Sequence, residues 1–364
     1  MEVIANEILQ LPKRKLRAII DDPEKSAQAV NLIYVHDTGP GIKRIKRGKK
    51  FIYTAWETVR VISDIDLKRI KALVIPPAWE DVWICDLANG HLQATGIDIK
   101  KRKQYRYHTL WNSLRNHTKY FRLYQFGKAV PAIRLQLEKD LSVPGLPVEK
   151  VLALVVSLME RTNIRIGNNM YEKLYGSFGL TTLKDKHVGI NGSELKFSFK
   201  GKKGVHHDIS IKNKKLSAIV KTCRDIPGKE LFQFYTSNGE RRSVDSGMVN
   251  DYIKKISGGD FTAKDFRTWS GTIQAFLAFK QLGVFETDIE AKKKVAEALD
   301  MVSKHLGNTR NVCKKYYVHP AIVSLYENKL LEKYLNQLDE IQVDDGGADL
   351  TVEEKIVMKI LETH

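Results

Sequence analysis

Two hydrophobic periodicities divide the chain. Up to about residue 110, apolar positions come in short runs bounded by turn residues. Helical spacing over Pro23–Leu32 is followed by two short strands, Ile33–His36 and Lys50–Thr54. Between these strands lies Gly41–Lys50, whose two glycines and six bases read as a turn with an exposed basic edge. Asp66–Ala72 reads as a short helix ended by Pro76-Pro77. Val82–Leu87 and His91–Ile99 read as strands around Asn89-Gly90, a strong hairpin signal. Beyond Leu110 the spacing turns helical. Trp111–Gly127, Val130–Leu141 and Val148–Ile164 are predicted helices, interrupted at Gly127, Pro131, Pro144 and Pro147.

Residues 187–212 break that helical pattern. Leu195, Phe197 and Phe199 alternate, as do Val205, His207, Ile209 and Ile211, and Lys200-Gly-Lys-Lys-Gly204 lies between them. This predicts a β-hairpin with a lysine-rich turn. Helical patterns resume over Val244–Ser257, Ala263–Gly283, Asp288–Leu306 and Pro320–Leu338. Asp344–Gly347 reads as a linker, and Thr351–Leu361 as a final amphipathic helix with Thr351 and Glu354 set as a capping box. A solvated helix is the expectation for this tail, with an acidic cover that mimics a polyanion in a groove as the alternative.

The expected class is α+β: a strand-rich N-terminal domain over 1–110, a mostly helical domain over 111–340 with an embedded hairpin, and a tail over 341–364. The length of 364 residues fits two domains. A net charge of +17 points to a polyanionic partner, since Lys and Arg beside phosphates release condensed counterions. Residues 339–364 hold eight acids and two bases, net −6, which leaves +23 on residues 1–338 and assigns binding to the body. The three cysteines, Cys85, Cys223 and Cys313, are far apart and form no CxxC, which argues against a disulfide framework or zinc site and fits a reducing cytoplasm. No apolar run reaches the roughly 18 residues that span a bilayer, and Met1–Lys15 has no signal-peptide layout.

Walker, HExxH and GxSxG motifs are absent, as are acidic clusters with metal-site spacing. Phosphodiester chemistry without a metal needs a nucleophile, cations for the non-bridging oxygens and an acid for the departing oxygen. Several ordered blocks supply such groups. Glu160-Arg-Thr-Asn-Ile-Arg-Ile-Gly-Asn168, with Tyr171 and Gly179–Lys184 after it, resembles the first catalytic block of type IB topoisomerases of the small bacterial and poxvirus kind. Phe197–Lys202 resembles their lysine hairpin, Ala263–Trp269 their second arginine block, and Leu306–Pro320 their nucleophile block. Lys103–Tyr107 extends the match into the N-terminal domain, so it covers most of residues 30–325 in order.

The resemblance implies two domains that clamp duplex DNA as a monomer and relax supercoils with neither cofactor nor metal. It implies Tyr317 as nucleophile, Arg165 and Arg267 on the non-bridging oxygens, and Lys202 as general acid. It places Asn308 where many relatives have histidine; asparagine can donate a hydrogen bond there but carries no charge. Gln104, Tyr105, Tyr107 and Tyr171 become DNA contacts. The residues alone leave alternatives open. Tyr316 rivals Tyr317, Lys200 and Lys203 rival Lys202, and Arg165 and Arg267 also read as ion-pair partners on helices, the latter with Asp265. Lys103–Tyr107 also reads as an edge strand guarded by charge, and Tyr171 as a buried helix aromatic. His206, His207, His305 and His319 receive no role. A tyrosine recombinase shares the arginine–lysine–tyrosine chemistry and is the second functional reading; a non-catalytic DNA-binding protein is the third.

Overall fold

The computed structural model describes residues 19–20, 22–48, 50–56, 62–99, 103–340 and 347–363. The chain is α+β and divides into two compact units, residues 1–121 and 122–364.

In the first unit, helix α1 (Pro23–Ala29) starts on Asp22, whose Oδ1 accepts from the backbone of Glu24 at 3.0 Å and Lys25 at 3.1 Å. Strands β1 (Gly41–Arg47) and β2 (Lys50–Trp56) follow, then helix α2 (Asp64–Ala72) with a Ser63–Asp66 capping box. Strands β3 (Glu80–Ile84), β4 (Leu92–Ile97) and β5 (Lys103–Tyr107) complete one antiparallel sheet in the order β2-β1-β3-β4-β5. The basic run is thus a strand, not a turn. Ile42 enters a core with Ile70, Val82, Ile84 and Ala94, and Arg44 donates to the carbonyls of Ile75, Pro76 and Trp79 at 3.2, 3.0 and 2.8 Å. The reversal contracts to the two positions between Arg47 and its partner Lys50, where Gly48 takes φ +62°. Of the expected strand 33–36, only an isolated bridge from Ile33 to Gly90 forms.

Helix α3 (Thr109–Ser142) runs unbroken through Gly127 and Pro131, and the division between the units falls within it. The two expected interruptions give way to tertiary packing: Phe126, Val130, Ile133 and Leu137 are buried on one stripe, and Gly127 lies tight against Trp269 and Met358. Helix α4 (Val148–Thr162) is central to the second unit, with every residue from Val151 to Met159 buried. After α5 (Asn169–Tyr175) comes an antiparallel sheet of β6 (Val188–Asn191), β7 (Glu194–Lys200) and β8 (His206–Lys212). Leu195, Phe197 and Phe199 face the core and alternate with exposed Lys196, Ser198 and Lys200.

The remaining elements are α6 (Lys214–Arg224), a small β9 (Gln233–Tyr235) and β10 (Arg241–Ser243) ladder, α7 (Ser246–Ser257), α8 (Ala263–Leu282), α9 (Asp288–Leu306) and α10 (Arg310–Tyr316). The pattern over Pro320–Leu338 predicts one helix, yet α11 (Pro320–Glu327) stops where Lys329 takes φ +58°. Short helices α12 (Glu332–Leu335) and α13 (Gln337–Glu340) then follow. Helix α14 (Val352–Thr363) has the expected capping box, Thr351 N donating to Glu354 Oε2 at 2.9 Å. It is not a solvated helix. Ile356, Val357, Ile360 and Leu361 join the main core, and Glu354 is buried. Glu354 accepts from Trp269 Nε1 at 2.9 Å and takes a two-pronged bond from Arg134 at 2.8 and 2.9 Å. Residues 344–346 of the expected linker lie outside the described residues. Among the described residues no helix is long and apolar enough to cross a membrane.

Candidate active site

Arg165 does not sit on a helix. Helix α4 ends at Asn163, which takes the left-handed conformation (φ 55°) tolerated by asparagine, and the chain leaves the helix there. Backbone bonds fasten the segment that follows: Leu180 N donates to Arg165 O at 2.9 Å, and Thr181 N to Ile166 O at 2.7 Å. The guanidinium of Arg165 then spans to the end of α9. Its Nη2 donates to Gly307 O at 2.9 Å and also to Asn308 Oδ1.

Arg267 projects from α8, whose first turn is set by a Thr262–Asp265 capping box. Asp265 is therefore engaged in capping, with Thr262 N on its Oδ2 at 2.8 Å, and does not pair with Arg267. Arg267 is 5% exposed; it donates to Leu306 O at 2.8 Å and to Asn163 O. Among the described residues, neither arginine meets a carboxylate. Burial and the neighbouring Arg267 charge push the Arg165 guanidinium down to about 10, and burial lowers Arg267 as well. A buried and a half-buried cation without an anion make a site for one. Two donors there also lack a partner: Arg267 Nε and Asn308 Nδ2 are both buried and unbonded among the described residues.

Tyr317 caps the C-terminus of α10, its N–H donating to Cys313 O at 2.9 Å. The Arg267 guanidinium carbon lies 5.2 Å from the centre of its ring. Tyr316 instead carries Lys315, 5.4 Å from its ring centre. Gly271, one turn beyond Arg267 on α8, admits the segment that carries Tyr317: a Cβ there would lie 2.5 Å from Tyr317 O. Thr272 Oγ1 donates to the same carbonyl at 3.4 Å.

Lys202 lies in the single turn Lys202–Gly204 between β7 and β8. The turn is closed by Gly201 N donating to Val205 O at 2.7 Å and Gly204 N donating to Gly201 O at 3.1 Å. Lys202 is exposed, and its Nζ lies 5.7 Å from the Tyr171 ring centre. Both residues line a cavity of about 640 Å³ together with Arg165, Tyr175, Lys200 and Lys203. Tyr171 is half-buried, not a core aromatic. The catalytic candidates thus form two linked groups: Arg165, Asn308, Arg267 and Tyr317 by direct contact, and Lys202 joined to Arg165 across the cavity.

Gln104, Tyr105 and Tyr107 lie on β5, at an edge of the first unit's sheet. The Tyr105 and Tyr107 rings stack at 5.8 Å, and Tyr105 is 46% exposed. Gln104 Nε2 donates to Asp98 Oδ2 at 3.1 Å, and Lys103 pairs with Asp37 at 2.5 Å.

Sequence reasoning missed the supports. The Asn163 carbonyl holds Arg267 while its side chain meets His305 Nε2 at 2.9 Å, so His305 supports the site without standing in for a histidine at 308. His319 caps α11 through its Nδ1, which accepts from Ala321 N at 3.1 Å. An asparagine near the end of the predicted helix Val148–Ile164 was the one legible signal for the first of these.

Residues 101–344 match the family described as eukaryotic DNA topoisomerase I, catalytic core, and residues 50–98 match the bacterial DNA topoisomerase IB N-terminal domain. The chain belongs to the type IB DNA topoisomerases. A relative named DNA topoisomerase 1B from Acanthamoeba polyphaga mimivirus is 33% identical over 295 residues, covering 79% of this chain and 88% of the relative. DNA topoisomerase 1B of vaccinia virus (strain Copenhagen) is 25% identical over 263 residues, covering 69% and 77%. With both regions matched to type IB enzymes, the recombinase and non-catalytic readings are not favoured.

Proposed function

We propose that this topoisomerase relaxes supercoiled DNA through a covalent bond between Tyr317 and the 3′ phosphate of one strand. The Tyr317 hydroxyl loses its proton to solvent as its oxygen attacks phosphorus. The bond from phosphorus to the 5′ oxygen breaks, and Lys202 protonates that oxygen as it leaves. Arg165, Arg267 and Asn308 stabilise the charge that grows on the non-bridging oxygens. The free 5′-hydroxyl end rotates, then attacks the phosphotyrosine and reseals the strand. One phosphodiester is exchanged for another of similar energy, so neither ATP nor a metal ion enters the scheme. The enzyme acts as a monomer on double-stranded DNA in the cytoplasm.

The observation that carries this reading is the pair of buried, unbonded donors, Arg267 Nε and Asn308 Nδ2, beside two arginines and Tyr317. A DNA phosphate would engage both donors at once, and the second negative charge it gains on attack would match the second arginine. The test is relaxation of supercoiled plasmid in EDTA without ATP, with mapping of the covalent adduct on nicked DNA. Tyr317→Phe should abolish adduct and relaxation while Tyr316→Phe keeps both. An adduct on Tyr316, or wild-type relaxation by Tyr317→Phe, would overturn the assignment.

A further inference from the structure

His207 stands outside the scheme above, yet it touches both halves of the site. It is the second residue of β8 and pairs with Phe199 on β7, its ring stacked on the Phe199 ring at 5.1 Å and 21°. One ring edge meets Gly201: a methyl group there would lie 2.6 Å from both Cδ2 and Nε2. The ring also meets Gly307, where a methyl group would lie 2.6 Å from Cε1. Gly201 opens the turn that carries Lys202, and Gly307 supplies the carbonyl that Arg165 grips, next to Asn308. One imidazole therefore fills the space between the lysine turn and the arginine–asparagine segment, and glycine on each side lets both backbones close on it.

We propose that His207 is a positioning residue for Lys202, a flat spacer that sets the lysine turn at its working distance from Arg165 and Asn308. The ring serves by shape. Burial, the charges of Arg165 and Arg267, and neighbouring His206 all lower its proton affinity below that of an ordinary histidine, which keeps a third cation out of the pair. Without the ring, the turn can move toward Gly307, and the Lys202 ammonium loses its aim at the departing 5′ oxygen. A misplacement of about 1 Å at a reacting group is enough to slow a step on the order of 100-fold.

The inference rests on the reading of Lys202 as general acid, and one substrate pair separates the two. In one suicide duplex the scissile phosphate bears its ordinary 5′ oxygen; in the other a 5′-bridging sulfur replaces it. A thiolate leaves without protonation, because thiols have a pKa of about 8.5, so the sulfur duplex has no need of the acid. Single-turnover cleavage is measured for wild type, His207→Ala, His207→Gln and Lys202→Ala, with duplex affinity and thermal melting alongside. Glutamine keeps side-chain length without the ring and guards against collapse of the alanine variant. The expected result is cleavage of the oxygen duplex slowed by about 10-fold to 100-fold in both His207 variants. The sulfur duplex should be cut within about threefold of wild type, affinity being unchanged. Wild-type rates on the oxygen duplex, or equal slowing on both duplexes while Lys202→Ala is rescued by sulfur, would overturn the role of His207. If Lys202→Ala stays slow on the sulfur duplex, the general-acid reading fails and the positioning role falls with it.

Discussion

Arg165 donates a hydrogen bond to Oδ1 of Asn308, and that bond fixes which end of the amide faces the site. With the oxygen committed to Arg165, the nitrogen is left as a buried donor without a partner. In the proposed scheme Asn308 thereby offers a hydrogen-bond donor that does not titrate, in a place where a histidine would bring a titration. Arg165 is held twice at this junction, by Asn308 and by the Gly307 carbonyl, so the two residues act as a unit.

Asn308→Ala removes both the hold on Arg165 and the donor. Single-turnover cleavage should fall about 100-fold, the loss typical of one preorganised donor at a developing anion. Asn308→Asp keeps an acceptor for Arg165 but replaces the donor with a negative charge beside the phosphate. It should cleave more slowly than the alanine variant, with duplex affinity reduced as well. An aspartate variant faster than alanine would show that Asn308 matters only for holding Arg165.

Gly271 sets how near Tyr317 comes to α8. In Gly271→Ala the new methyl would lie 2.5 Å from Tyr317 O and 3.1 Å from Tyr317 Cβ, so the segment carrying Tyr317 must retreat. The strain should destabilise the second unit by about 1–3 kcal/mol. Cleavage should slow at least about 10-fold, because the attacking oxygen leaves its line with phosphorus. Thermal melting and single-turnover cleavage at saturating duplex measure the two effects separately.

On β5, Tyr105 presents an exposed ring, whereas the Gln104 amide is already bonded to Asp98. Tyr105→Ala should weaken duplex binding by ~1 kcal/mol, as for one base-edge contact. Gln104→Ala should weaken it less, because a replacement for Asp98 must be found before DNA can use the amide. Fluorescence anisotropy on a labelled duplex compares them, and the cleavage rate at saturating DNA should be the same in both.

What the sequence made legible follows from where each signal resides. Helix α8 was readable because its apolar spacing lies within one continuous segment. The arginine, lysine and tyrosine blocks were readable because each carries its residues in a few consecutive positions. The continuity of α3 through Pro131 was not, since the packing of Gly127 against Trp269 and Met358 comes from residues more than a hundred positions away. The basic strand β1 was misread because its charged side chains masked an alternation whose one inward anchor is Ile42. His207 and His305 received no role for the same reason as α3: each meets a partner far along the chain, the Gly307 backbone in one case and the Asn163 side chain in the other.

The acidic end of the chain carries the clearest pH prediction. Glu354 on α14 accepts from Arg134 and Trp269, and Arg134 also bonds Glu160 at 2.7 Å. Burial pushes the Glu354 carboxyl up, but the Arg134 hydrogen bonds and charge outweigh burial, so it titrates below its ordinary value of 4.5. A carboxyl lowered in the folded state contributes stability that is fully present above its unfolded pKa. That contribution is lost as pH falls through the folded value. Glu354→Ala leaves Arg134 with one carboxylate and Trp269 Nε1 with none, and should destabilise the second unit at neutral pH by about 3 kcal/mol, as for a broken buried pair. Because α14 then loosens from the core, Trp269 fluorescence should shift to the red. In wild type the melting midpoint should be insensitive to this group above about pH 4.5 and fall below it. In Glu354→Gln, which keeps an acceptor for Trp269 without the charge, the midpoint at neutral pH should be lower and its decline on acidification shallower. Parallel wild-type and glutamine curves below pH 4.5 would show that α14 is held by its apolar face alone.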